Sequence, residues 1–324
     1  MSTFLCYYCG QQRPSEQRSD EHIIASCIGG NRNATLTRNV CRTCNQFAGD
    51  EVDRLFCRDW VIESMRLIAG VSHRGKRPAA FMGELIWSRP ERVRMYLLEG
   101  GAQIALFDCI DGTRAIAIIA DPDDPSMMKN VSRVVHAKFK GLRVINGASP
   151  RRSYDDELVE AFSQFGESLR VTSSIDTYAW HRAIVKMGLG LACETFGDDF
   201  VSSQAADTMR AYLHETDPAR RDSIGLRGRG GSLVSTPTVT QYIHPGGDEH
   251  LFALTATGPQ LGFAANLFGR FENILLLDES GKFADRLPGL REDVSKGVAW
   301  VVDPAKKTTR GPIPLADLIR ESIR

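Results

Sequence analysis

No stretch of this sequence stays apolar long enough to cross a bilayer. Uninterrupted runs such as Ala115–Ala120 and Ile274–Leu277 stop far short of the ~20 residues a spanning helix needs. Charge of one sign is lacking too: 40 Lys and Arg balance 40 Asp and Glu. That argues against a protein that simply coats nucleic acid, because such domains usually have a pI above ~9. The apolar core of an export signal is also missing, since Met1–Cys6 runs straight into polar residues; a cytoplasmic location is the resulting expectation, with no membrane partner. At 42% hydrophobic and 25% charged residues, the composition excludes disordered, collagen-like and coiled-coil chains. A length of 324 residues suggests about two domains, each able to bury a core.

The charge is balanced globally but not locally. From Lys129 to Arg152 there are seven Lys or Arg and no acid. A second basic segment, Arg220–Ser232, holds Arg227 and Arg229 beside glycines that let a backbone approach phosphates. Lys138, Lys140, Arg227 and Arg229 are the candidate nucleic-acid contacts, weighed against charges on a solvated face.

Cysteine is the informative residue. Of eight, Cys6, Cys9, Cys41 and Cys44 form two C-x-x-C pairs, while Cys27, Cys57, Cys109 and Cys193 are scattered. Without an export signal the thiols are expected to stay reduced, so the paired knuckles read as a metal site rather than as disulfides. Four thiolates suit tetrahedral Zn²⁺ as a structural cofactor. The 31 residues between Cys9 and Cys41 exceed the spacing of the shortest zinc ribbons, so a folded insert is expected there. Asp20–Ile24, the Gly29-Gly30 turn signal, Thr35–Val40 and a helix beginning near Cys44 outline a ββα unit.

Apolar spacing at Phe47, Val52, Leu55 and Phe56 predicts a helix over Asn45–Trp60, followed by helical residues to Ile68 and a linker at Gly70–Pro78. Strand-like runs follow at 84–88, 93–98, 104–109, 113–120 and 132–144. Helices are predicted at 156–165, at 177–196 stopped by Gly197, and at 203–215 with Ser203 as N-cap. Gly188 and Gly190 inside the second of these suggest a close approach by another element, or a kink. After a loop at 220–232, strands resume at 238–243, 251–256, 262–268 and 273–277, with His244 and His250 flanking a hairpin turn. The fold class is α+β: a zinc-bound ββα, treble-clef-like module over residues 1–69, then a larger α+β domain over 79–324.

The string E-H-I-I-x-x-x-x-G-G, followed by C-x-x-C-N-x-x-x-G-x-x-x-D, resembles the zinc-bearing HNH endonucleases of the ββα-metal, or His-Me finger, group. The likeness spans Cys6 to Asp53, about a sixth of the chain. It implies a metal-dependent endonuclease acting on DNA, with His22 as general base toward the attacking water. It implies further that Glu21 and Asn45 ligate a catalytic Mg²⁺ or Mn²⁺, separate from the zinc. The family's middle Asn steadies the loop of the base and stands several residues before the second knuckle; here Asn39, two residues before Cys41, is the nearest match. Asp20 could replace Glu21 as ligand were the strand register shifted by one. Asn45 could also serve as a helix cap, and Asp50 and Asp53 are expected on the solvent face or paired with Arg54. The larger domain carries no recognisable motif; DNA binding, homo-oligomer formation or regulation of the nuclease are its expected roles. The rival reading is a zinc-finger-type module that binds nucleic acid or protein without cleaving it.

Overall fold

The structure is a computed structural model that describes residues 2–30, 35–71, 80–86, 92–98, 102–108, 112–120, 123–145, 170–172, 176–232, 249–289 and 296–323. The N-terminal residues form two small antiparallel hairpins: β1 (Thr3–Leu5) with β2 (Gln12–Pro14), and β3 (Arg18–His22) with β4 (Leu36–Cys41). Helix α1 (Arg42–Phe47) follows β4 directly, with Cys41 as its N-cap residue. The expected ββα order is therefore present. Asn45 lies inside α1 and is not its cap. Beyond α1 the predicted single helix is interrupted, running through a π-helical turn at Ala48–Asp53 into α2 (Arg54–Arg58).

The chain divides into two compact units, one of Met1–Cys57 with Asp176–Arg324 and the other Arg58–Ile175. The grouping differs from the expected division at 70–78. Hydrogen bonds from residues beyond 176 hold the N-terminal segment, so Met1–Cys57 and Asp176–Arg324 together make the first unit.

The second unit starts with α3 (Trp60–Ile68), whose N-terminus is capped by the Asp59 carboxylate accepting from the Val61 amide at 2.9 Å. Its sheet contains β5 (Ala80–Ile86), β6 (Arg92–Leu97), β7 (Gln103–Asp108), β8 (Arg114–Ile119), β9 (Arg143–Ile145) and β10 (Arg170–Thr172), in the order β10-β5-β6-β7-β8-β9. The strand expected over 132–144 is instead helix α4 (Pro125–Lys138), and only β9 remains extended. Local chemistry explains the difference: Asp124 accepts hydrogen bonds from the Ser126 and Met127 amides, and Pro125 opens the first turn. Val131 and Val134 then bury one face of α4 against Ile104, Leu106 and Ile116. The β-branched residues of this segment serve helical packing rather than a strand. The helix also provides the crossover that the parallel β8–β9 pair requires.

Helix α5 (Thr177–Phe196) has the predicted bounds, and Gly197 follows it at φ +70°. The Gln204–His214 helix is capped by Ser203, whose Oγ accepts from the Ala206 amide at 3.2 Å. The 220–232 segment is not a loop: it contributes the end of a helix at Pro218–Ser223 and then β11 (Gly228–Ser232). With β12 (His250–Thr257), β13 (Gln260–Leu267), β14 (Phe271–Asp278), β15 (Gly297–Asp303) and β16 (Thr308–Pro314) it makes a second six-stranded sheet, in the order β11-β14-β13-β12-β15-β16. A C-terminal helix, Leu315–Ile323, buries Leu315 and Leu318 against Leu251, Ala253, Ala299 and Val301. The helix expected at 156–165, the strand at 238–243, His244 and Cys109 lie outside the described residues. Among the described residues no helix is long and apolar enough to cross a membrane.

Cys27 and Cys57 are joined by a disulfide, with their Cα atoms 6.1 Å apart. This corrects the expectation that all thiols outside the knuckles stay free. The bond ties the 3₁₀ turn at Ser26–Ile28, which follows β3, to helix α2.

Candidate active site and metal centre

The two knuckles converge. The Cys6, Cys9, Cys41 and Cys44 sulfur atoms all lie within 4.8 Å of one another, and among the described residues this is the group of His, Cys, Asp and Glu side chains placed to share an ion. The surroundings favour thiolate at Cys6, whereas burial raises the Cys9 thiol and the hydrogen bond to Cys6 raises that of Cys44; the Cys41 amide donates to Cys6 Sγ at 3.3 Å, and Arg13 Nη2 to Cys9 Sγ at 3.8 Å. A hydrogen bond from Cys44 draws the Cys6 thiol down to about 4 against the opposing effect of burial, with the Cys41 amide adding to it. The donor set therefore fits a metal such as zinc, which would tie β1, β4 and α1 together.

Tyr7 and Tyr8, inside the first knuckle, are held from beyond the segment. Arg210 Nη1 donates to the Tyr7 carbonyl at 3.1 Å, and His214 Nε2 lies 2.8 Å from the Tyr8 carbonyl oxygen. The His214 ring packs on Phe47 with centroids 4.5 Å apart.

Helix α5 faces the ββα unit with one stripe, Arg182, Lys186 and Gly190, at the i, i+4, i+8 spacing that aligns side chains on a helix. Arg182 Nη1 donates to the Glu51 carbonyl at 3.1 Å. A Cβ on Gly190 would lie 2.6 Å from Ile23 Cγ2, and one on Gly188, on the other side, 2.8 Å from Phe263 Cδ1. The close approach suggested by the two glycines is thus present on both faces of α5.

Lys186 is fully buried. Its Nζ stands 2.6 Å from Glu21 Oε1 and 2.7 Å from Asp53 Oδ2, and donates to the His22 carbonyl at 2.8 Å. Burial works to lower the Lys186 pKa, but the Asp53 and Glu21 charges outweigh it and the net shift is upward. Burial raises the Glu21 and Asp53 carboxyls, opposed in both by Lys186 and, for Asp53, by His22. Tyr8 Oη donates to Glu21 Oε1 at 3.2 Å; burial, reinforced by Glu21, pushes the phenol far above its ordinary value and keeps it a donor.

The site residues expected from the sequence divide accordingly. His22 is half-buried at the end of β3, opposite Leu36 of β4, with its carbonyl fixed by Lys186. Glu21 points into the protein and is committed to Lys186 and Tyr8. Asn45 Nδ2 donates to Ser19 Oγ at 2.6 Å and to the Asp20 carbonyl at 2.8 Å, so its amide clamps α1 to β3 rather than meeting Glu21. Asp20 is exposed and paired with Arg38 at 2.8 Å. Asn39 works on the knuckle side: its Nδ2 donates to Tyr7 Oη at 2.9 Å, its Oδ1 accepts from Arg18, and its carbonyl accepts from the Tyr7 amide at 2.9 Å. Lys138 and Lys140 are exposed at the end of α4; Arg227 is exposed and 3.4 Å from Glu279, and Arg229 lies in β11 opposite Ile274.

Glu21 and Asn45, the expected ligands of a catalytic cation, both have protein partners: Lys186 and Tyr8 for Glu21, Ser19 and the Asp20 carbonyl for Asn45. The charge that Glu21 could offer such an ion is already met by a buried ammonium. Asp53, expected on the solvent face or paired with Arg54, is instead a partner of that ammonium. Lys186 was missed because it lies far outside the motif. Its signal was a lone cation inside an otherwise apolar helical run from Ala183 to Cys193, since lysine is almost never fully buried unless paired.

Residues 6–61 match the family model described as HNH endonuclease. No curated protein and no solved structure matches the chain.

Proposed function

With residues 6–61 as an HNH endonuclease segment, we propose that the protein hydrolyses phosphodiester bonds in nucleic acid, DNA being the favoured substrate, with His22 as general base. The observation that supports this most is His22 at the end of the first strand of a ββα unit, its main chain pinned from α5. A neutral imidazole at that position can take the proton of an attacking water at physiological pH. Asn45 holds α1 against β3, and Lys186 fixes the His22 carbonyl at the strand end, so the main chain that carries the imidazole is anchored from two sides. Such pre-set geometry is worth much of the barrier in a hydrolysis, because the reacting groups need not be ordered at the moment of reaction.

Zinc bound by Cys6, Cys9, Cys41 and Cys44 would supply folding free energy to a segment with little core of its own, rather than chemistry. Lys138, Lys140 and Arg227, all exposed, are the side chains proposed for phosphate contacts of the sequence-independent kind, with Arg229 of β11 the fourth candidate by its sequence position.

Nicking of supercoiled plasmid by the zinc-loaded full chain and by His22→Ala, each with and without EDTA, tests the reading. The expected result is loss of nicking in a His22→Ala protein that stays folded and keeps its zinc. Wild-type protein that binds plasmid without cutting it, with His22→Ala indistinguishable, would instead establish a zinc-bound recognition module.

A further inference from the structure

We propose that Lys186 takes the place of a divalent cation at Glu21: its ammonium balances the Glu21 and Asp53 carboxylates and fixes the His22 carbonyl, so Glu21 is not a metal ligand in this protein. The inference rests on the nuclease reading only for the role it gives His22. Three observations carry it. An ammonium has three N–H donors, and Lys186 has three acceptors, at 2.6, 2.7 and 2.8 Å. Its hydrogen-bonding capacity is filled by the groups that a cation beside His22 would otherwise meet.

The second observation is burial. Lys186 is 0% exposed and Glu21 4%, and α5 is held on both sides of this position by the contacts of Gly190 with Ile23 and Gly188 with Phe263. A buried ion pair that loses one member leaves the other desolvated and uncompensated, which is strongly destabilising. Displacement of the ammonium by a hydrated metal ion is therefore opposed by both packing and charge. The third is donor count. Asp53 Oδ1 is buried without a hydrogen-bond partner, but Mg²⁺ and Mn²⁺ favour octahedral oxygen sites. One spare oxygen does not make one.

Lys186 is a positioning residue on this account. It reaches no substrate, and it performs from 165 positions further along the sequence the orienting task that a metal bridge would perform within the motif.

Mn²⁺ binding by the zinc-loaded full chain, followed through the electron paramagnetic resonance of the free aqueous ion, tests the proposal without reference to cleavage. Wild type and Glu21→Gln should give superimposable titrations. Lys186→Met should gain one Mn²⁺ per chain, and Lys186→Met with Glu21→Gln should lose that gain. A tenfold or greater weakening of Mn²⁺ binding by Glu21→Gln alone would overturn the proposal, as would a folded Lys186→Met protein with no new site. Should Lys186→Met fail to fold, as judged by circular dichroism and zinc content, the comparison of wild type with Glu21→Gln decides the matter alone. Failure of the nuclease reading registers separately, as wild type that does not nick plasmid.

Discussion

Gly190 of α5 sits against Ile23, the residue after the proposed base, so closely that a Cβ would come within 2.6 Å of Ile23 Cγ2. Glycine in a helix interior costs ~1 kcal/mol relative to alanine, and here that cost secures the approach of α5 to β3. Gly190→Val should destabilise the protein by about 1–3 kcal/mol through overpacking. Gly49 provides the control: it lies in the π-helical turn, and a Cβ there meets nothing within 4 Å. Gly49→Ala should be neutral or stabilising by up to ~1 kcal/mol. Urea unfolding of the two variants measures the contrast, and equal effects would contradict the packing described.

Zinc should be stoichiometric at one ion per chain, and its loss should reach beyond the knuckles. Tyr7 and Tyr8 accept hydrogen bonds from Arg210 and His214, so releasing the knuckle also frees buried groups in the C-terminal part of the unit. Chelation of the metal, or Cys41→Ser, should lower the thermal midpoint of the whole unit and remove protection of amides near Arg210 in hydrogen exchange. Unchanged protection there would show that the knuckle and the helix are independent.

His250 predicts an acid limb of stability. Burial lowers its pKa to about 3, against weaker opposing effects of the Ile28 backbone and Asp303. Its Nδ1 accepts from the Phe268 amide at 2.8 Å. The folded state holds a neutral ring where the unfolded chain binds a proton below its ordinary value, so the unfolded state takes up more protons on acidification. The contribution is fully present above the ordinary histidine pKa of ~6.5 and is lost as pH falls toward 3. Between pH 6.5 and 4 the loss should amount to about 3 kcal/mol. His250→Leu should flatten that slope in a series of urea titrations, whatever it does to absolute stability.

Reduction of the Cys27–Cys57 disulfide should weaken the fold without dispersing the metal site. The bond closes a loop with a sequence separation of 30, for which the chain-entropy model gives about 3–4 kcal/mol. Cys57→Ser, compared with wild type in urea with and without reductant, should show a loss of that order and equal zinc content. A null effect on stability would mean that these two sulfurs are not bonded in solution.

Much of this protein was readable as text. The knuckles, the acid–His pair, the Gly-Gly turn and the order strand–strand–helix all follow from side-chain chemistry at short range, where spacing alone restricts what the chain can do. Helix α5 was equally plain, because a long apolar run ended by Gly197 depends on local energetics. The fates of Glu21, Asp53 and Lys186 were not readable in this way. Whether a carboxylate binds metal, faces water or pairs with an ammonium depends on what stands opposite it, and Lys186 reaches Glu21 across 165 positions of sequence. Desolvation makes that pairing compulsory once the helix has docked, yet nothing in the motif foretells the docking. The same holds for α4, whose valines suit a strand until Asp124 and the apolar face of the neighbouring sheet select a helix, and for the cysteines, of which two were bridged by the tertiary fold and four were paired by sequence alone.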